Sequence, residues 1–176
     1  MPVILGAMAA LAVAYFWILR ARNAAEMTHE LLDVANDVRL AARRFGFRRR
    51  QNIHPAEAID EAKIAIAAIG ACLLELDDFP TAEQKEALVR GLRDSQRISH
   101  QEAEELTILG RWLASECGGA AQAVSRLSRR LYKLNGASDL GTLASLASSI
   151  AKFGSGTLTE QQKTALEDIQ RGLRVA

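Results

Sequence analysis

The chain has 176 residues, of which 49% are hydrophobic, so it has room for one compact domain and an appendage but not for a second domain of enzyme size. Its 22 basic residues nearly balance its 21 acidic ones, and a net charge of +1 argues against a protein that binds nucleic acid over a broad basic surface. The two cysteines, Cys72 and Cys117, lie far apart in apolar patterns, which predicts reduced core thiols and not the dense disulfide framework of a small secreted domain.

The first predicted element is a membrane-spanning helix. Val3 to Leu19 is an uncharged run of 17 apolar and small residues, at the short end of the length that crosses a bilayer core. A cleavable signal peptide needs basic residues before such a run, and only Met1 and Pro2 precede it. A buried core helix is the soluble alternative, but a terminus that is apolar on every face has no obvious position in so small a domain. The predicted anchor side chains are Val3, Ile4, Leu5, Leu11, Val13, Tyr15, Phe16, Trp17, Ile18 and Leu19.

The residues directly after this run predict its orientation. Arg20 and Arg22 come first, and positive charges favour the cytoplasmic side of a membrane. The aromatic residues at 15–17 precede them, at the level expected for the inner headgroups. We therefore expect an anchor in residues 1–22 of a single-pass protein of the bacterial inner membrane, with the N-terminus outside and the remaining chain in the cytoplasm.

A connecting helix is predicted next, because neither Gly nor Pro occurs between Asn23 and Phe45. Its apolar residues recur every three or four positions and form a seam of Met27, Leu31, Val34, Val38, Ala41 and Phe45. The seam is shorter than three heptads, so a free-standing coiled coil would be marginal. Three occupants are open: a second copy in a homodimer, an integral membrane protein or complex, and the chain's own domain.

The connecting helix runs into the most polarised stretch of the chain, which completes the predicted segment of residues 23–53. Five arginines surround two phenylalanines here: Arg43, Arg44, Arg48, Arg49 and Arg50. Near a membrane, each basic side chain contributes about 1 kcal/mol to binding anionic lipid. A solvated hinge is the alternative interpretation. No RNA-binding module surrounds the cluster, so we expect no nucleic-acid partner.

Residues 54–176 are predicted to form a cytoplasmic bundle of about six helices. Pro55 suits the first turn of a helix that continues to Leu76. Capping patterns predict further helix starts after Thr81, Ser99 and Thr159. Glycines predict helix ends at Gly118, Gly119, Gly136 and Gly154. An apolar helix face is predicted at Leu143, Leu146, Ala147, Ile150 and Phe153. No alternating β-branched run occurs, so the predicted class is all-α.

Two stretches of the bundle are similar in sequence, Asp78 to Leu88 and Gly156 to Leu166. Each stretch follows an apolar helix and begins a capped amphipathic helix. The arrangement, over Pro55 to Gly172, resembles the TerB-like family, the tellurite-resistance fold also found at the N-terminus of membrane-anchored DnaJ-like co-chaperones. That resemblance implies divalent metal binding through an acidic turn, here with Glu75, Asp77, Asp78 and Glu83 as ligands. The chain departs from the family at Ser155 and Gly156, where a second Asp-Gly pair would fall, and it has no His-Pro-Asp motif of a J domain.

No catalytic signature accompanies these features. The histidines, His29, His54 and His100, are not spaced as metal ligands with either cysteine, and no base lies near Cys117 in sequence. We therefore predict a non-enzymatic, cofactor-free scaffold: an accessory subunit, or an assembly or stabilising factor, of an inner-membrane protein complex. The alternative is a TerB-like stress-response module that binds a divalent metal through the acidic turn at residues 75–83.

Overall fold

The computed structural model describes residues 35–48, 52–77 and 79–174, which form helices and turns but no strand. The predicted all-α class is therefore confirmed for this part of the chain. Residues 35–44 are helical, and a 3-10 turn spans Pro55–Ala58. Six α-helices come after it: α1 (Ala62–Glu75), α2 (Ala82–Gln96), α3 (His100–Glu116), α4 (Ala120–Asn135), α5 (Leu140–Lys152) and α6 (Glu160–Gly172). The residues from Val38 onward belong to one compact unit.

None of the helices in the described ranges is both long and apolar enough to cross a bilayer. The predicted anchor, Val3 to Leu19, lies outside those ranges. So do three residues of the predicted seam, Met27, Leu31 and Val34. Their roles stay predictions from the sequence.

The central element is α1, whose side chains from Ile64 to Leu74 are all buried. A helix that is apolar on every face has to be surrounded by other elements. Helices α3 and α4 pack most extensively against it, and α2 and α5 contact it as well. Further out, α2 pairs with α5 and α6 pairs with α4. The outer helices contribute their apolar faces to the same core, among them Leu92, Leu113, Leu131, Ile150 and Ile169.

The beginning of α1 differs from the prediction of one continuous helix from Pro55. The 3-10 turn ends at Ala58, and Ile59 is extended, with φ −68° and ψ 120°. Arg130 of α4 contacts the chain at this break: its Nε donates a hydrogen bond of 2.6 Å to the carbonyl oxygen of Ile59. That carbonyl thus has a partner from another helix. Such a contact cannot be predicted from local helix propensity.

The helix starts that the sequence predicted are confirmed as three full capping boxes. They pair Thr81 with Gln84, Ser99 with Glu102, and Thr159 with Gln162. The hydrogen bonds that the Ser99 backbone N–H and hydroxyl donate hold the pKa of the Glu102 carboxyl below its usual range. Helix ends at Gly118 and Gly136 are also confirmed, since both adopt the positive φ that glycine accepts without strain.

Helices α1 and α3 approach each other closely at Gly110. A Cβ at this position would lie 2.9 Å from the carbonyl oxygen of Ala67 and 2.9 Å from the Cα of Ala68. Both atoms belong to the backbone of α1, which cannot move aside as the end of a flexible side chain could. The two backbones can therefore come this close here only because residue 110 has no side chain.

We expect Gly110→Ala to lower the free energy of unfolding by about 1–3 kcal/mol, as overpacking of a core usually does. The matched control is Gly141→Ala in α5, where a Cβ would meet nothing within 4 Å. That variant should leave stability unchanged or raise it. Denaturant titration of the full chain in a neutral detergent, followed by far-ultraviolet circular dichroism, measures both. Equal transition midpoints for the two variants would contradict the close approach.

Candidate functional site

Two turns meet at the carboxyl end of α1. The first joins α1 to α2 and the second joins α5 to α6, so they are the turns of the two stretches that are similar in sequence. Each leads into a capping box with glutamine at its third position, and both glutamines are buried: Gln84 is 0% and Gln162 is 1% exposed. Because buried amides require hydrogen-bond partners, those partners define how the turns are held.

The second turn is hydrogen-bonded directly to α1. Gln162 Nε2 donates to the carbonyl oxygen of Leu73 at 2.9 Å, and the Thr159 hydroxyl donates to the carbonyl oxygen of Leu76 at 3.1 Å. Carbonyls in the last turn of a helix have no partner within that helix. Here the donors come from 89 and 83 positions further along the chain. The start of α6 is thereby joined to the end of the central helix.

The first turn is held through the carboxylate of Asp77. Its Oδ2 accepts a hydrogen bond of 2.7 Å from Gln84 Nε2, and its Oδ1 accepts one of 3.4 Å from the backbone N–H of Phe79. Gly154 of the second turn lies against this pair, since a Cβ there would be 2.2 Å from Gln84 Nε2 and 3.3 Å from Asp77 Oδ2. The two turns are therefore in contact, and the missing side chain at Gly154 leaves room for the Asp77–Gln84 hydrogen bond.

The acidic residues that the family resemblance implies as metal ligands have different surroundings. Glu75 Oε1 accepts a hydrogen bond of 3.2 Å from Arg111 Nε, while Asp77 accepts the two hydrogen bonds just described. Glu83 is exposed in the first turn of α2, and Asp78 lies outside the described residues. Within the described ranges, no three His, Cys, Asp or Glu side chains are grouped so that they could hold a metal ion. Metal binding by the whole turn stays a prediction.

Two phenyl rings at these turns are exposed. Phe79 has 86% of its surface exposed, and Phe153 has 43%. The guanidinium carbon of Arg90 lies 5.0 Å from the centroid of the Phe153 ring. Phe153, predicted as the last residue of the apolar face of α5, lies just beyond that helix, because α5 ends at Lys152 and the next residue leaves helical geometry. The exposed Phe79 was not singled out from the sequence; its signal is a phenylalanine inside the polar turn Asp-Asp-Phe-Pro.

The described end of the predicted seam packs on the chain's own bundle. Ala41 and Phe45 are buried in the core, and Val38 is partly buried against it. Phe47, just beyond the seam, is also buried and meets Trp112 of α3 edge to face, with ring centroids 5.8 Å apart. The sequence left three possible partners open for the seam. Its described residues pack against the third of these, the chain's own domain.

The arginines of the cluster next to the seam differ in their surroundings. Arg44 Nη1 forms an ion pair of 3.0 Å with Glu105 Oε1 of α3, which ties this stretch to the bundle. Arg43 and Arg48 are exposed to solvent. The last two members, Arg49 and Arg50, lie outside the described residues. Lipid binding by this cluster stays a prediction.

Both cysteines are free thiols, as the sequence predicted. Cys72 is fully buried in α1, and burial raises the pKa of its thiol far above the ordinary value. Cys117, half-buried at the end of α3, also has a thiol pKa raised by burial. A thiol with a raised pKa is protonated at neutral pH, and the thiolate is the reactive form. Both residues therefore have the character of packing residues.

The comparisons with known proteins identify no relative of this chain. No family model, no curated protein and no solved structure matches this chain. The resemblance to the TerB-like family therefore rests on the sequence motifs, and it stays a prediction.

We expect Gln162→Met to lower the free energy of unfolding by about 1–3 kcal/mol, because the Leu73 carbonyl would remain buried without its donor. Gln161→Met is the matched control: it makes the same change at the neighbouring, exposed position and should alter stability by less than about 0.5 kcal/mol. Thermal unfolding of the full chain in neutral detergent measures both. If Gln162→Met unfolded no earlier than its control, the hydrogen bond would not matter for stability.

Proposed function

We propose that this chain is a membrane-anchored scaffold or accessory subunit whose helical domain binds an integral membrane protein or complex at the cytoplasmic face of the bacterial inner membrane. In this proposal residues 1–22 form a transmembrane helix and the bundle is TerB-like. The protein has no catalytic step and no cofactor. Its role is to hold or stabilise the partner in an assembly.

The anchor is supported by the solvation of the first residues. The 17 uncharged residues from Val3 to Leu19 are long enough to cross a bilayer core and gain free energy by leaving water. Arg20 and Arg22 favour the cytoplasmic side for the residues after the anchor. An anchor of this kind keeps the domain close to other membrane proteins. The resulting effective concentration makes even a modest binding surface sufficient.

The observation that carries the binding role is the exposure of Phe79. Among the described residues, four large hydrophobic side chains are exposed, and Phe79 is the most exposed of them. Its backbone N–H is bonded to Asp77, whose other oxygen is held by the buried Gln84. Asp77 thus links the residue that bears the ring to the buried Gln84 of α2. A phenyl ring on such a support can enter a pocket of a partner at a small cost in entropy, as the aromatic anchors of protein interfaces do.

A photoreactive phenylalanine analogue at position 79 of the full chain should give covalent adducts with an integral membrane protein when intact bacteria are illuminated. The same analogue at Ala137, which is exposed in the turn between α4 and α5, serves as the matched control and should give none. The reason is that only position 79 would face the partner. Mass spectrometry of the adducts identifies the partner without assuming which complex it belongs to.

Two results would contradict this proposal. One is the absence of adducts at position 79, or the appearance of the same adducts at positions 79 and 137. The other concerns orientation: digestion of the C-terminal domain by a protease added outside sealed cells would place that domain on the wrong side of the membrane.

The alternative function is divalent-metal binding by a TerB-like stress-response module. It is favoured by the contact between the two turns at Gly154, which gathers polar side chains of both turns at the end of α1. Calorimetry of the full chain in neutral detergent with Ca²⁺, Mg²⁺ and Zn²⁺ distinguishes the two functions. The scaffold proposal expects no saturable heat. A saturable heat that is lost in Asp77→Asn and Asp78→Asn, but kept in Glu160→Gln, would favour the metal-binding module.

A further inference from the structure

A groove of about 290 Å³ lies between α4 and the end of α6. Arg129, Tyr132 and Lys133 line it from α4, at spacings that place them on one face of that helix. Asp168, Arg171 and Arg174 line it from the other side. This groove is distinct from the two turns at the end of α1, and nothing in the proposed function uses it.

A close helix contact forms the groove. A Cβ at Gly172 would lie 2.5 Å from the Cβ of Ser128, so α6 can lie against α4 only because this residue has no side chain. Gly172 directly follows Arg171, and Ser128 directly precedes Arg129; both arginines line the groove. The contact therefore brings basic side chains of two helices to the edges of a single depression.

Among its described lining residues, the groove has an excess of three positive charges. Four basic side chains line it, against one carboxylate, and that carboxylate, Asp168, forms an ion pair with Arg171. Arg174 is placed over an aromatic ring, with its guanidinium carbon 4.9 Å from the centroid of Tyr132. Arg129 and Lys133 have neither an ion pair nor a hydrogen-bond partner among the side chains that the structure describes. Among the residues up to 174 that the structure describes, Arg129, Lys133 and Arg174 thus have no carboxylate paired with them.

Helix dipoles account for only part of this charge. Lys133 and Arg171 lie in the last turns of α4 and α6, where a positive charge is stabilised by the negative end of the dipole. Arg129 lies more than one turn before the end of α4, and Arg174 lies beyond the end of α6. The dipole effect falls off within the last turn. It therefore does not explain why all four side chains line the same groove.

We propose that this groove binds a phosphate-bearing anion, supplied either by a lipid headgroup or by a small free phosphate compound. One guanidinium is enough to pair with a carboxylate, as the ion pair between Asp168 and Arg171 shows. A phosphate offers more acceptor oxygens, and a monoester more negative charge, so it can engage several cations together. Arginine presents paired N–H donors that match those oxygens, and lysine adds a point charge. The volume is close to the lower limit of about 300 Å³ for small-molecule pockets, which suits a headgroup-sized ligand.

The test uses the full chain in micelles of an uncharged detergent at low ionic strength. Calorimetric titrations with inorganic phosphate and with glycerophosphoglycerol, the water-soluble headgroup of phosphatidylglycerol, supply the two sources of the same chemistry. We expect saturable binding of at least one of them, with a Kd on the order of 1 mM. Tighter binding of glycerophosphoglycerol assigns the groove to a lipid headgroup, and tighter binding of inorganic phosphate assigns it to a free phosphate compound.

Variants of the groove should move the affinity in opposite directions. The double variant Arg129→Gln/Lys133→Gln should weaken binding about tenfold or more, because it removes two charge-assisted donors. Asp168→Asn should tighten binding, since it removes the competing carboxylate and frees Arg171. The control Lys152→Gln/Lys163→Gln removes the same charge from exposed positions outside the groove and should leave binding unchanged. Thermal unfolding verifies that each variant is folded.

Three results would overturn the proposal. The first is no saturable binding of either phosphate compound to the folded chain. The second is an equal loss of affinity in the groove variant and in the control. The third is tighter binding of a polyglutamate peptide than of either phosphate compound, which would assign the groove to an acidic protein segment.

Discussion

The hydrogen bonds at the carboxyl end of α1 connect the most buried helix of this protein to a turn more than eighty residues later in the chain. Because α1 is mostly surrounded by other helices, protein groups supply donors to carbonyls at its end. Thr159 and Gln162 supply donors to two of those carbonyls, which places the start of α6 against the end of α1. Since α6 then lies along α4, the position of the basic groove depends on the same hydrogen bonds. The turn that bears Phe79 is supported at the same end of α1, through Asp77.

The two surfaces to which we assign roles differ in charge. Residues 55–116 contain thirteen acidic and six basic side chains, whereas residues 117–138 contain four basic side chains and no acidic one. The net charge of +1 for the whole chain does not reveal this uneven distribution of charge. An anion is attracted to α4 and repelled by the acidic side chains near Phe79, so the two surfaces would select ligands of different kinds. In the proposed scaffold, the protein partner and the phosphate group would be held at different surfaces of the bundle.

The burial of the seam's described end limits what the connecting segment can do. Ala41, Phe45 and Phe47 belong to the core of the bundle, and Arg44 is paired with Glu105. A side chain buried in its own domain cannot also lie in an interface unless that domain opens. A second copy or a membrane protein that uses the same apolar stripe would therefore have to contact it before residue 38. The described residues from Val38 to Phe47 therefore belong to the packed domain.

The sequence by itself determined the all-α class, the three capping boxes and the glycine helix ends, because each depends on residues three or four positions apart. It also located the acidic turn, although not the partners of its side chains. Only the tertiary structure decided that Gln84 and Gln162 are buried, that Phe153 is exposed, and that cations of α4 and α6 share one groove. Those features depend on contacts between residues tens of positions apart, and the periodicity of a single helix contains no information about which other helix it will meet.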